Sequence, residues 1–347
     1  MLAARAVNAI HDIAATFPRD KGKIAAAPGK GQSPLFRPGR QERMVSALGL
    51  LQVPPMNLAK LVRPFRIDKS KSFRLKDISP KDTRGLAIDA KEARAVLKKG
   101  VERLSELQEM LYAQDRWAVL VIFQAMDAAG KDSAIKHVMS GVNQQGCDVH
   151  SFKAPSAEDL DHDFMWRCLC RLPQRGRIGI FNRSYYEEAL VVRVHPELLA
   201  KEALPDRLVG KRIGEERFDD INAIERYLTR NGVAICKFFL HLSKAEQKRR
   251  FIERLDDLDK NWKFSPGDVL ERQRWNEYMR AYEDMIRATS NAESPWHVVP
   301  ADNKWFTRLA VAAAIVDKLE SLGLAYPKGG PDRQKQLKVA RQALENE

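Results

Sequence analysis

Residues 119–138, VLVIFQAMDAAGKDSAIKHV, read as an apolar strand, a loop of small residues and the start of a helix. The unbroken apolar run fits a strand buried on both faces of a parallel sheet. Gly130-Lys131 suggests a phosphate-binding loop, yet the usual spacing G-x-x-x-x-G-K followed by Ser or Thr fails at both ends. Ala125 stands where the first Gly belongs, and Asp132 where the magnesium-binding hydroxyl belongs. Small residues let the chain curl so that backbone N–H groups converge on phosphate oxygens at a helix N-terminus. Ala128, Ala129, Gly130, Lys131, Asp132 and Ser133 are therefore the expected phosphate-binding residues. Gly130 permits close approach and Lys131 supplies a point charge, while Ala125 is tolerated where φ is negative. For the missing hydroxyl the candidate is Asp127, a carboxylate within the loop that suits a hard cation. Asp132 serves equally as a cation ligand or as a first-turn acid favoured by the helix dipole.

Outward from the loop, strands and helices alternate. KEARAVLKKGVERLSELQEMLYAQ before it carries Val96, Val101, Leu104, Leu107 and Leu111 on one helical stripe. After it, CDVHSFKA is a second strand. Ser156-x-x-Asp159 resembles a capping box that opens one helix through AEDLDHDFMWRCLCRL. RIGIFNRSYY is a third strand, and FDDINAIERYLTRNG a helix closed by Gly232. VAICKFFLHLS and WHVVPA are the fourth and fifth strands, and TRLAVAAAIVDKLESLG is the last core helix. This alternation predicts an α/β fold, a three-layer sandwich around a mostly parallel sheet of about five strands.

Between the fourth and fifth strands, at about residues 243–290, the rhythm breaks into two charged helices joined by Phe-Ser-Pro-Gly. The excursion reads either as a lid that excludes water or as a solvated helical hairpin laced with ion pairs. Trp275 and Tyr278 read as packing residues, whereas Trp262 and Phe264 fit a nucleotide base or packing equally. His137 and His195 read as packed or hydrogen-bonded histidines rather than nucleophiles.

Residues 1–55 are rich in Pro, Gly, Lys and Arg without sustained period, and read as a basic, disordered extension, with Met56 an alternative beginning. Residues 325–347 read as a C-terminal tail, a solvated helix after a flexible linker. No run of 18 apolar residues occurs, so no transmembrane helix is expected. Four cysteines make no disulfide framework or zinc spacing, and the expectation is a cytoplasmic protein with reduced thiols. The formal charge of +13 points to a polyanionic partner. Basic residues interleaved with acids, and no aromatic RNA-binding signature, argue against nucleic acid.

In an α/β sheet ligands bind beyond the carboxyl ends of the strands. FNRSYYEE at the end of the third strand therefore brings Asn182, Arg183, Tyr186, Glu187 and Glu188 toward the loop. Arg183 suits a bidentate grip on phosphate, and Glu187 is the candidate second acidic ligand beside Asp127, since Asn182 is neutral.

Taken together, MDAAGKDS, SGVNQQGCDVHSFKAPS, DHDFMWR, FNRSYYEEALVVRVHPE and WKFS resemble the polyphosphate kinase 2 family, in order and over about residues 56–324. With Glu187 where other members carry Asn, the chain is most similar to the class III members. The resemblance implies a P-loop kinase-like core with a helical lid, and magnesium- (or manganese-) dependent, direct in-line transfer of the terminal phosphate of inorganic polyphosphate to AMP, ADP or both, with the reverse reaction open as well. It implies that Asp127 binds the metal, that Lys131 contacts the transferring phosphate, and that Asn182-Arg183 stands where many members have Asp-Arg. Asn182, Tyr186 and Glu187 are the expected nucleotide side. Arg193, Arg249, Arg250, Arg254 and Lys263 are expected polyphosphate or nucleotide contacts. A homo-oligomer is also implied. The competing reading is an ATP-dependent small-molecule kinase on the same core.

Overall fold

The computed structural model describes residues 58–86 and 90–347; the disordered extension expected over residues 1–55 and the alternative beginning at Met56 lie outside the described residues. In chain order the strands are β1 (Ala118–Gln124), β2 (Cys147–Ser151), β3 (Ile178–Asn182), β4 (Val233–His241) and β5 (Trp296–Pro300). The helices are α1 (Leu58–Val62), α2 (Ala90–Gln114), α3 (Lys131–Val138), α4 (Ala157–Leu160), α5 (Trp166–Leu169) and α6 (Glu187–Val194), followed by α7 (Ile213–Arg230), α8 (Lys244–Asp256), α9 (Pro266–Gln273), α10 (Trp275–Thr289), α11 (Lys304–Glu320) and α12 (Pro331–Glu345).

All five strands are parallel, in the order β2-β3-β1-β4-β5. Every residue of β1 is buried, because the central strand has a neighbour on each side and helices on each face. Its side chains alternate. Leu120 and Ile122 join a core with Phe239, Tyr282, Met285 and Trp296, while Val119, Val121 and Phe123 face the other way. On the first face lie α6, α7 and α10; on the second, α11 packs against α2, α1 and α3. The stretch Leu309–Ile315 of α11 is buried almost all round, as a helix wedged between a sheet and a second helix must be. The α2 stripe of Val96, Val101, Leu104, Leu107 and Leu111 is buried as its spacing predicts.

The sheet's two edges differ. Along β5 the Ile67 N–H donates to Trp296 O (2.9 Å) and Arg66 bridges His297. Among the described residues nothing pairs with the outer side of β2, where Val149 is exposed.

Several elements depart from the sequence reading. The helix expected through residues 157–172 is two short ones, α4 and α5. The capping box at Ser156 and Asp159 forms, but Asp163 accepts the Met165 N–H (3.0 Å) and restarts the chain. Of CLCRL, Cys168 is buried and Cys170 exposed. Helix α6 was not anticipated, since EEALVVRV reads as strand-like β-branched residues. The charged excursion is three helices rather than two. Its last, α10, buries Trp275, Tyr278, Ala281, Tyr282, Met285 and Ile286, and so belongs to the core layer rather than to a cap. The tail, by contrast, carries the solvated helix its sequence predicts, α12, exposed throughout.

Beneath α7 and β4 lies a buried polar knot. Lys237 Nζ donates to Glu225 (2.6 Å), to the Tyr186 hydroxyl (3.0 Å) and to Thr289 O (2.8 Å). Glu225 also accepts from the hydroxyls of Tyr185, Tyr186 and Ser294. A buried charge survives only with this degree of pairing.

Candidate active site

β1 delivers the chain to the loop at Ala125 and Met126, both buried. The turn then needs two positive-φ residues, Ala128 (φ 62) and Gly130 (φ 103). Gly130 takes the second at no steric penalty, while Ala128 is held in it by its surroundings. Gly130 is the N-cap residue of α3, so the first-turn amides of that helix are donors without intrahelical partners. Lys131 folds back across the loop, its Nζ donating to Ala125 O (2.9 Å). Burial pushes Lys131 down and Arg183 pushes it further, against the pull of Asp127, Glu187 and Asp132.

β3 ends beside it. Arg183 leaves the strand at φ 67, its N–H donating to Phe123 O (3.0 Å), which turns its side chain back over the loop. The guanidinium lies between two carboxylates, 3.1 Å from Asp127 Oδ1 and 4.0 Å from Glu187 Oε2. Burial raises Glu187 above the usual carboxylate range, with Arg183 and Lys131 opposing. Gln124, at the buried end of β1, faces Glu187 Oε1 with its amide nitrogen (2.7 Å) and Ser184 with its oxygen. Asp127, Arg183, Glu187, Tyr278, Tyr282 and Glu271 line a cavity of about 170 Å³. Asn182 Nδ2 donates to Asp132 (2.7 Å) and Arg308 donates to the Ser133 hydroxyl (2.8 Å), which pins the start of α3 to β3 and α11.

The expected residues Asp127 through Ser133, Asn182, Arg183 and Glu187 therefore converge. Others do not. Tyr186 is fully buried in the Glu225–Lys237 knot and stacks edge-on to Trp296, so it cannot touch a nucleotide. Arg193 is paired with Asp284 (2.7 Å) and sits over Phe218. Arg249 is held by Glu246 and Glu253 on the exposed side of α8. Arg250 is at the loop, but behind it. Its Nη1 donates to Ala128 O (3.0 Å) and Ala129 O (2.9 Å), its Nη2 to Ala301 O (2.6 Å) and Asp302 O (3.1 Å), and its Nε to Glu246 (2.7 Å). A guanidinium has five N–H donors, and all are engaged; Arg250 is a clamp, not a phosphate contact. Arg254 lies 3.7 Å from Asp268 of α9 and over Phe251. The Lys263 side chain lies outside the described residues.

The sequence reading missed the ties between α9 and this loop. Arg272 donates to Gln247 Oε1 (2.8 Å) and Lys244 O (2.8 Å), and Gln247 Nε2 donates to Asp127 O (3.0 Å). Its neighbour Glu271 accepts from Tyr278 (2.5 Å) and from His195 Nε2 (3.0 Å), while His195 Nδ1 meets Glu197 (3.1 Å). With a carboxylate at each nitrogen, the ring can donate to both only as imidazolium. Burial opposes that charge, and Arg274 opposes it too, but the hydrogen bonds of Glu271 and Glu197 prevail and His195 titrates above its ordinary value. A raised folded-state value means the contribution is complete below about pH 6.5 and is lost as pH rises through the folded value. Hydrogen exchange of α9 should therefore accelerate, beyond the intrinsic exchange rate, as the pH rises from about 6.5 through the folded value. His195→Gln should remove that excess, and an unchanged profile would dismiss the tie.

A parallel sheet with a strand–loop–Gly-Lys–helix at the end of its central strand, and a helical excursion between its last two strands, defines a P-loop kinase-like phosphotransferase. The chain belongs to the polyphosphate kinase 2 family, whose model matches residues 87–324. It is 55% identical over 250 residues to an ADP-polyphosphate phosphotransferase of Rhodopseudomonas palustris, covering 72% of this chain and 86% of that one. It is 42% identical over 270 residues to an AMP/ADP-polyphosphate phosphotransferase of Meiothermus ruber, covering 77% and 96%. The crystal structure of polyphosphate kinase 2 from Arthrobacter aurescens TC1 superposes with a TM-score of 0.72 at 38% identity, covering 80% of this chain and 96% of that one.

Proposed function

We propose that the chain transfers the terminal phosphate of inorganic polyphosphate directly to AMP and to ADP. The observation that carries this reading is Arg183 set between Asp127 and Glu187 over the Lys131 loop, in a member of this family. An acceptor phosphate oxygen attacks the terminal phosphorus, and the bond to the rest of the chain breaks. Lys131, Arg183 and the amides of Ala128 and of Gly130 through Ser133 bear on the oxygens of the moving group. Asn182 and Glu187 stand on the nucleotide side. The segment of α9 and its flanking loops, with Arg254 and Lys263, acts as the lid that keeps water out.

Asp127 and Glu187 suit Mg²⁺ or Mn²⁺, a hard cation that takes one or two carboxylates and completes its shell with phosphate oxygens and water. When bound, such a cation neutralises phosphate charge. No described helix is long and apolar enough to cross a membrane, and a cytoplasmic homo-oligomer fits the reading, with residues 56–324 as the transferase domain between a basic extension and a tail.

The test is incubation with AMP and, separately, with ADP, each with polyphosphate and magnesium and without ATP, with ADP and ATP followed by chromatography. Both products are expected. ADP conversion without AMP conversion would keep the reaction and remove AMP from its range, as the name of the Rhodopseudomonas relative suggests for that protein. No product from either acceptor would put an ATP-dependent kinase first.

A further inference from the structure

A larger cavity, of about 590 Å³, opens between the Leu75–Pro80 segment, the end of β4 and α10. No residue lines both it and the cavity at the loop mouth. Its charge is one-sided. Lys76, Lys244 and Arg280 line it and are exposed, and among the described residues no acid or acceptor engages their side chains. The two carboxylates of its wall are already engaged. Glu283 accepts the Leu75 N–H (2.8 Å) and lies beside Arg287 (3.5 Å) and Arg74 (3.8 Å), and Asp284 is paired with Arg193 (2.7 Å). Burial pushes His241, also in the wall, down to about 4, so it adds no charge at neutral pH. Trp275 and Met279 of α10 supply an apolar side.

Three uncompensated cations around a concave volume select a compact polyanion. The size falls in the range that encloses a small-molecule ligand, roughly 300–1,000 Å³, whereas the loop-mouth cavity of about 170 Å³ falls below it. The wall also reaches the lid: Lys244 O accepts from Arg272, whose guanidinium lies 6.0 Å from the Trp275 ring.

We propose that this cavity is a second binding site, separate from the phosphate loop, for a condensed phosphate group, carried by a nucleotide or by a short inorganic chain. Phosphates meet Lys76, Lys244 and Arg280, and the Trp275–Met279 wall leaves room for a base. An occupant there lies against the residues that tie α9 to Asp127 through Arg272 and Gln247.

Titration calorimetry with ADP and, separately, with tripolyphosphate tests this. The wild-type chain is expected to bind two equivalents, and Lys244→Ala/Arg280→Ala one, with turnover at saturating substrate within about twofold because exposed side chains rarely disturb the fold. Lys131→Ala, which weakens the loop, should keep the cavity's equivalent. ADP binding about tenfold tighter than tripolyphosphate at the lost site assigns it to a nucleotide, and equal affinities assign it to the inorganic chain. One equivalent in the wild type overturns the proposal. So does a double variant that keeps both equivalents, or one whose only change is a raised KM for the nucleotide, which would make the cavity part of the catalytic site. Two binding events without any phosphotransfer would remove the proposed reaction and leave the cavity standing.

Discussion

Asp127→Asn is expected to lower kcat by about a thousandfold while leaving the fold intact. The carboxylate is the only acid within the loop between Gln124 and Lys131, and its Oδ1 lies 3.1 Å from Arg183. Asparagine keeps the shape but removes the charge that orients Arg183 and would hold a divalent cation. Losses of about 10²–10³ follow the removal of one electrostatic partner of a transition state. Stability should barely move, because both members of the pair are more than a third exposed and such pairs contribute roughly 0–1 kcal/mol. The Gln247 contact is to the Asp127 carbonyl and survives the substitution. Turnover and thermal midpoint on the same preparation check the claim, and a variant retaining a tenth of wild-type kcat would remove Asp127 from the mechanism.

Arg250→Lys tests the other side of the loop. Lysine keeps the charge but offers three donors on a single nitrogen, against the five contacts that Arg250 makes to four carbonyls and Glu246. At least two buried acceptors lose their donor, at about 1–3 kcal/mol each. The carbonyls of Ala128 and Ala129 are among them, so the loop that cradles phosphate loses its backing. A displacement of about 1 Å at a reacting group can lower rates by about 10²-fold. The expected outcome is a fall in kcat/KM of about a hundredfold, measured well below the melting transition of the variant. Arg250→Ala should regain part of it with added guanidinium. Lost stability with unchanged kcat/KM would make Arg250 a structural residue alone.

How far the sequence could be read follows from which forces write themselves locally. β1, the loop and α3 were legible because an apolar run, small residues and Gly-Lys each act within a few positions. So were the capping box at Ser156 and the stripe of α2. Arg250 was legible as important and wrong in role: charge on a helix says nothing about which face the helix presents, and its carbonyl partners lie about fifty and over a hundred positions away. Tyr186 misled for a related reason. It follows Arg183 by three residues, yet the left-handed turn at Arg183 sends one side chain over the loop and the other into the core. Lys237 was hidden inside an apolar strand, where a lone cation gives no hint of the buried Glu225 that satisfies it. The Glu271 and Arg272 ties needed tertiary placement of α9, which charge patterning alone does not specify.

The two unequal margins of the sheet bear on how copies of this chain can meet. One margin is sealed by the chain itself at Ile67 and Trp296, and the other, at β2, has no pairing partner among the described residues. An object with one adhesive rim and one capped rim can join a twin rim to rim, and that union consumes both rims. Of the two margins described, only the one at β2 offers unpaired backbone, so pairing between copies through the described sheet would use that margin alone.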